Sequence, residues 1–293
     1  MEVGSTGTPY VASGITANDT TARILVEELA KQSDNQVQNL HILCFGDSLL
    51  GNDGETVEFL QEFTKADIFN MAVGGTSVSP RTSTTSAYYP FDGENFISAI
   101  VDNDFTAQDA KVSSLSNGVQ TRFAAFKQLD MSTIDLVIFA WGTNDYTQGK
   151  TIAEIESSLG ACIDAMQETF PQIRILVLCP LWRFFGDDVT HQYTEDSDTK
   201  VYNVSTLKEI ASAIQSYCKG KRISVFNGYE DVELSINNAT TYFDNVTLSG
   251  DQDNQTGVEL PSGSGQYYSG VHLNRTGNKM YAHYINGKIN SIY

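Results

Sequence analysis

Short unbroken apolar runs alternate along this chain with stretches in which apolar residues recur every three or four positions. The runs cover residues 41–45 (His41-Ile42-Leu43-Cys44-Phe45), 68–73, 134–141, 173–179 and 223–226. The first four stop at Gly46, Gly74, Gly142 and Pro180. Runs without polar alternation predict strands covered on both faces. Between them, Val57, Leu60 and Phe63 predict a helix over 55–65, and Ile155, Leu159, Cys162, Ile163 and Met166 another over 153–170. Val204, Leu207, Ile210, Ala211 and Ile214 mark a third, and residues 274–289 a terminal one. Alternating strands and helices predict an α/β fold around a parallel sheet.

Ahead of the first run, residues 1–17 are rich in Gly, Ser and Thr and read as an arm. Ile24, Leu25, Leu29 and Ala30 then predict a helix over 19–31, with Asn18 or Asp19 as its cap. The chain accordingly divides into an arm and helix over 1–38 and one large domain over 39–293. Three stretches break the alternation, at about 76–116, 181–198 and 228–270. Each follows the C-terminal end of a predicted strand, the edge where open α/β sheets bind ligands. They are expected to form the walls or lid of a cleft.

Charge narrows the partners. Thirty-six acidic against 18 basic residues give a formal net charge of −18. Such a field repels nucleic acid phosphates and anionic membranes. No apolar stretch nears the roughly 20 residues of a membrane span. The four cysteines, Cys44, Cys162, Cys179 and Cys218, fall inside predicted core elements without metal-type spacing, so buried thiols are expected. No metal or other cofactor is expected. Residues 1–10 lack the basic start and apolar core of a signal peptide, which leaves localisation open. Asn203, Asn238, Asn245 and Asn254 open Asn-x-Ser/Thr triplets of the kind a Ser/Thr/Asn-rich chain forms by chance.

Four segments hold residues fit for chemistry. Gly46-Asp47-Ser48-Leu49 puts a hydroxyl just past the first strand, in a turn whose backbone N–H groups could face an oxyanion. Residues 70–76, Asn-Met-Ala-Val-Gly-Gly-Thr, end the second strand in two glycines that let a ligand approach the backbone. Gly142-Thr143-Asn144-Asp145 adds an amide donor, and residues 269–274, Ser-Gly-Val-His-Leu-Asn, place His272 at a loop–helix junction suited to a base. Each of the first three alone is more often an ordinary Gly or Asx turn, and a lone His is more often structural. His41 opens a strand, His283 lies inside the terminal helix and His191 in a polar stretch, so His272 is the preferred base.

Taken in order, these segments resemble the blocks of the SGNH (GDSL-type) hydrolase superfamily, over about residues 41–290. The resemblance implies a flavodoxin-like three-layer α/β/α fold with a central parallel sheet and metal-free cleavage of esters and related acyl bonds. It implies Ser48 as nucleophile and His272 as base. The Ser48 and Gly75 backbone N–H groups and the Asn144 side chain would form the oxyanion hole.

The sequence departs from the family pattern at one place. The family's last block is Asp-x-x-His, whereas Ser269 stands three residues before His272. Three arrangements fit: a Ser48–His272 dyad steadied by a backbone carbonyl or the Ser269 hydroxyl; an acid from elsewhere, with Asp244, Asp251, Asp253 and Glu259 available; or a degraded site that only binds. Tyr88, Tyr89, Phe91, Phe96, Trp182, Phe184, Phe185, Tyr267 and Tyr268 lie in the long stretches and could stack on sugars or simply pack. The expected substrate is a small-molecule or carbohydrate ester, with an acetyl esterase on carbohydrate favoured. The alternatives are a lipase- or thioesterase-type carboxylesterase, and a carbohydrate-binding or surface-attachment module on the same fold.

Overall fold

All five apolar runs join one parallel sheet. The computed structural model describes residues 2–3, 9–10, 37–51, 55–186, 193–243, 247–249, 257–259 and 269–293. In it β1 (His41–Gly46), β2 (Asp67–Asn70), β3 (Leu136–Ala140), β4 (Arg174–Leu178) and β5 (Ser224–Phe226) lie in the order β5-β4-β3-β1-β2. Every pairing is parallel, with Ile42 opposite Ile68 on one side and Leu136 on the other. β3 is buried along its whole length, and β1 beyond His41, because helices cover both faces.

The helices that build the layers and the site are α1 (Ser48–Gly51), α2 (Glu55–Thr64), α3 (Gly93–Asp102), α4 (Asn117–Phe126), α5 (Thr143–Thr147), α6 (Ile152–Thr169), α7 (Leu207–Lys221) and α8 (Arg275–Asn290), with short helical turns at Thr106–Asp109, Gly228–Asp231 and Ala239–Tyr242 besides. α2 packs against α8, while α6 packs against α3 and α7. The result is the three-layer α/β/α sandwich expected from the sequence. The helix expected over 19–31, like His191, lies outside the described residues. Among the described residues no helix is long and apolar enough to cross a membrane. The four cysteines are buried free thiols, and burial pushes that of Cys44 up to about 12.

Two expectations need correction. Val204 is not on the buried face of a helix: it is exposed, in the turn between two short strands. α7 begins only at Leu207, because Thr206 and Glu209 form a reciprocal capping box that fixes its first turn. The stretch 76–116 does wall the cleft, through Arg81, Tyr88, Leu115 and Ser116, but most of its aromatic residues do not face a ligand. It contains α3, whose Phe96, Ile97 and Ile100 are buried. Phe96 packs edge-on against Phe45, Phe91 and Phe126, with ring centroids 5.4–5.6 Å apart. Phe91, Phe96, Trp182 and Phe184 are therefore core residues rather than ligand platforms. Burying such rings on the sheet contributes more than exposing them in a loop would.

The second long stretch builds a support for the last. Strand Phe184–Gly186 pairs antiparallel with Tyr193–Asp196 on one side and with Ser269–Gly270 on the other. This ribbon carries the chain to within two residues of His272.

Candidate active site

β1 delivers its last residues to the C-terminal edge of the sheet, where the chain turns sharply. The Asp47 N–H donates to Ala140 O at 3.1 Å, and Asp47 O accepts the Gly51 N–H at 2.9 Å. The Asp47 carboxylate accepts the Leu49 N–H at 3.0 Å, so it acts as the cap of α1. Ser48 opens that helix, with its side chain partly exposed. Asn70, at the end of β2, donates to Leu50 O at 2.8 Å and accepts the Ala72 N–H at 3.0 Å. Arg122 of α4 donates to Ala72 O at 2.9 Å. These bonds bind the Ser48 turn to the loop that follows β2.

That loop carries Gly75, whose φ of +86° lies in the left-handed region that favours glycine. The next hydroxyl, Thr76 Oγ1, lies 2.9 Å from Val73 O and 3.1 Å from Gly46 O, and accepts from the Trp141 indole at 3.1 Å. Downstream, both oxygens of the Asp145 carboxylate accept backbone N–H groups at 2.9 Å, from Val78 and Ser79. Burial pushes the Asp145 carboxyl up to about 6, against the pull of those two N–H groups. Asn144, its neighbour on α5, donates one amide N–H to Thr76 O at 2.8 Å. An amide nitrogen carries two, and the cleft lies beside it.

His272 is anchored on both sides. Gly270 pairs with Phe184, and Leu273 bridges to Phe243. Asn274 then caps α8 by accepting the Gly277 N–H at 3.0 Å, while its amide donates to Thr241 O and Phe243 O at 3.0 and 3.2 Å. Held this way, His272 Nε2 lies 2.9 Å from Ser48 Oγ. A hydroxyl bonded to a neutral imidazole nitrogen can pass its proton to the ring as it attacks an electrophile.

Ser48, Gly75, Asn144 and His272 line a single cavity of about 1260 Å³. Tyr88, Arg81, Thr147, Arg183, Phe185 and Tyr202 supply polar and aromatic walls, while Val57, Ile68, Leu115 and Val119 supply an apolar one. Ser269 is paired through its backbone with Phe185. Its side chain and that of Glu259, together with Asp244, Asp251, Asp253, Tyr267 and Tyr268, lie outside the described residues. The other two described histidines stand elsewhere: the His41 backbone N–H bonds Asp135, and His283 meets Phe63 edge-on at 5.8 Å.

Sequence reasoning gave no role to Asp145, Arg81, Arg122 or Arg183. Asp145 sits in the Gly142–Asp145 block and could have been suspected there. The arginines had no signal. Arg183 is buried beside the cleft, with its guanidinium 4.6 Å from the Phe185 ring centroid, and burial pushes it down to about 10. Asp47 shares this neighbourhood. Burial pushes its carboxyl up to about 7; the Leu49 N–H and Arg183 oppose the rise and Asp145 adds to it.

A model of the GDSL-like Lipase/Acylhydrolase family matches residues 10–280. Among solved structures, a possible lipase from Chitinophaga pinensis DSM 2588 aligns with a TM-score of 0.54 at 15% identity, over 87% of this chain and 99% of that one. Est24, a carbohydrate acetylesterase from Sinorhizobium meliloti, aligns with a TM-score of 0.49 at 14% identity, over 87% of this chain and 100% of that one. No curated protein matches the chain in sequence.

Proposed function

The chain belongs to the GDSL-like lipase/acylhydrolase family, and from that premise we propose that it is a serine esterase working through a covalent acyl-enzyme. The 2.9 Å contact between His272 Nε2 and Ser48 Oγ carries this reading. As Ser48 Oγ attacks the ester carbonyl carbon, its proton passes to His272 Nε2. The carbonyl oxygen takes the negative charge and is met by the Ser48 and Gly75 backbone N–H groups and the spare Asn144 amide N–H. Collapse of the tetrahedral intermediate expels the alcohol, which takes the proton from His272. Water, deprotonated by the same ring, then attacks the acyl-enzyme and returns the carboxylic acid and free Ser48.

The favoured substrate is an acetyl ester of a carbohydrate. The polar and aromatic wall formed by Tyr88, Thr147, Arg183 and Tyr202 supports it, since rings and hydrogen-bonding groups together suit a hydroxylated alcohol. A second reading, a carboxylesterase for longer acyl chains, is supported by the apolar wall of Val57, Ile68, Leu115 and Val119. A rate series from acetyl to decanoyl esters separates the two. A maximum at acetyl, strengthened when the alcohol is a sugar, fits the first; a maximum at eight carbons or more fits the second.

Labelling with a fluorophosphonate probe tests the mechanism itself. Wild type should be modified at Ser48, and Ser48→Ala should be neither labelled nor active. Undiminished turnover by Ser48→Ala would overturn the assignment.

A further inference from the structure

One of the three proposed oxyanion donors is the backbone N–H of a glycine, and glycine has no side chain to hold itself in place. We propose that Arg81 is the positioning residue of this site, fixing Gly75 through its carbonyl oxygen. The inference rests on the reading of Gly75 given above. Arg81 Nη2 donates to Gly75 O at 2.8 Å. The guanidinium is itself fixed by Asp92, which accepts Nε at 2.8 Å on one oxygen and Nη2 at 2.7 Å on the other. A two-point fork of this kind sets the plane of the group as well as its position. The same carboxylate, wholly buried, accepts the backbone N–H groups of Ser77 at 3.1 Å and of Arg81 at 3.0 Å. One acid thus ties residues 75, 77 and 81 into a single rigid piece.

Tyr88 closes the arrangement from the other side. Its ring centroid lies 5.1 Å from the Arg81 guanidinium carbon, and ring atoms lie 3.6 Å from where a Cβ on Gly75 would stand. Gly75 is therefore gripped through its carbonyl and roofed by an aromatic ring. Gly75 O lies in the peptide after the Gly75 Cα, and the proposed donor N–H in the peptide before it. The arginine thus fixes one side of a left-handed glycine whose soft dihedrals would otherwise let the N–H swing away from the developing oxyanion. Lysine cannot replace the grip, because a point-like ammonium cannot engage both Asp92 oxygens and Gly75 O in fixed directions. Arg81 also lines the cleft.

The test compares full-length wild type, Arg81→Lys, Arg81→Ala and Ser48→Ala on a small acetyl ester, with thermal melts on each. Arg81→Lys and Arg81→Ala should lower kcat by roughly 10- to 100-fold with KM within about threefold. Inhibition by a phenylboronic acid, whose tetrahedral adduct puts an oxygen in the same hole, should weaken in step with kcat/KM. Millimolar methylguanidinium should restore part of the Arg81→Ala rate. A folded Arg81→Lys with kcat within twofold of wild type would overturn the proposal, and so would a loss confined to KM or one that only follows the unfolded fraction. If Arg81→Ala does not fold, Arg81→Lys and its boronate affinity decide alone. Should Ser48→Ala remain active, the site reading itself fails; should it be dead while the Arg81 variants are fully active, only the positioning role fails.

Discussion

A Cβ placed on Gly270 would lie 1.8 Å from an atom of the Phe184 ring. Phe184 is wholly buried and packs edge-on against Phe243 at 5.6 Å, so it has nowhere to retreat. Gly270 is thus what lets the strand before His272 lie on the ribbon. Gly270→Ala is expected to destabilise the protein by about 1–3 kcal/mol, as overpacking does, and to displace His272 from Ser48. The expected result is a fall in kcat larger than the fall in folded fraction, read from turnover and thermal melts on one preparation. Gly270→Ala combined with Phe184→Leu should recover part of the activity. If the single variant turns over like wild type, strand contact is not what places the histidine.

How far the sequence foretold this arrangement depends on the range of the forces involved. β1 and β3 were legible because a strand buried on both faces leaves an unbroken apolar run. The edge strand β2, partly exposed along its length, was legible from the apolar residues that run on past it to Val73. The Ser48–His272 contact spans 224 positions. Periodicity carries no information at that distance, and only the family resemblance joined the two. α3 went unread although Phe96, Ile97 and Ile100 have helical spacing, because the surrounding Ser, Thr, Tyr and Gly residues suggested a loop. The Arg81–Asp92 pair lies within that stretch and has no local pattern at all. Its meaning comes from Gly75 O, which faces it only once the chain has folded back. Val204 was misplaced for a readable reason: the Thr206–Glu209 capping box is present in the sequence and fixes the start of α7.

Asn274 links stability and placement of the base. Its carboxamide caps α8 through the Gly277 N–H and also donates to Thr241 O and Phe243 O. Asn274→Ala should cost about 1 kcal/mol for the lost cap, with a further loss from two unpaired carbonyls. Asn274→Asp keeps the capping oxygen but loses the donors. If the donors steady His272, Asn274→Asp should retain most of the melting temperature yet lose several-fold in kcat. Equal activity of Asn274→Asp and wild type would assign the residue to capping alone.

Asn144 should show its role in the rate rather than in binding. Its proposed contact forms only when the carbonyl oxygen becomes an oxyanion, so Asn144→Ala is expected to lower kcat by roughly 100-fold with little change in KM. Because Asn144 also holds Thr76 O at 2.8 Å, part of that loss is indirect. Asn144→Asp removes the donor and adds a charge that repels the oxyanion, so it should be the slower of the two. Steady-state kinetics on one acetyl ester order the three proteins, and an Asn144→Asp variant faster than Asn144→Ala would contradict the donor role.

The buried carboxyl next to the proposed nucleophile should make stability depend on pH in an unusual direction. Burial pushes Asp47 from 3.8 up to about 7, with the Leu49 N–H and Arg183 pulling it down and Asp145 pushing it up. A carboxyl whose folded pKa is raised binds its proton more tightly in the folded state. Its contribution is therefore fully present below about pH 4 and is lost as pH rises towards 7. At about 1.4 kcal/mol per unit the change amounts to a few kcal/mol. Asp47→Asn cannot ionise and can keep the bond from the Leu49 N–H, which wild type makes at 3.0 Å. Urea denaturation of both proteins at pH 4.5 and 7.5 reads the effect of ionising Asp47 together with its coupling to Asp145 and Arg183, since every other titrating group is common to the two. Relative to Asp47→Asn, wild type should lose stability between the two pH values. A constant difference would mean that Asp47 does not change its protonation across that range.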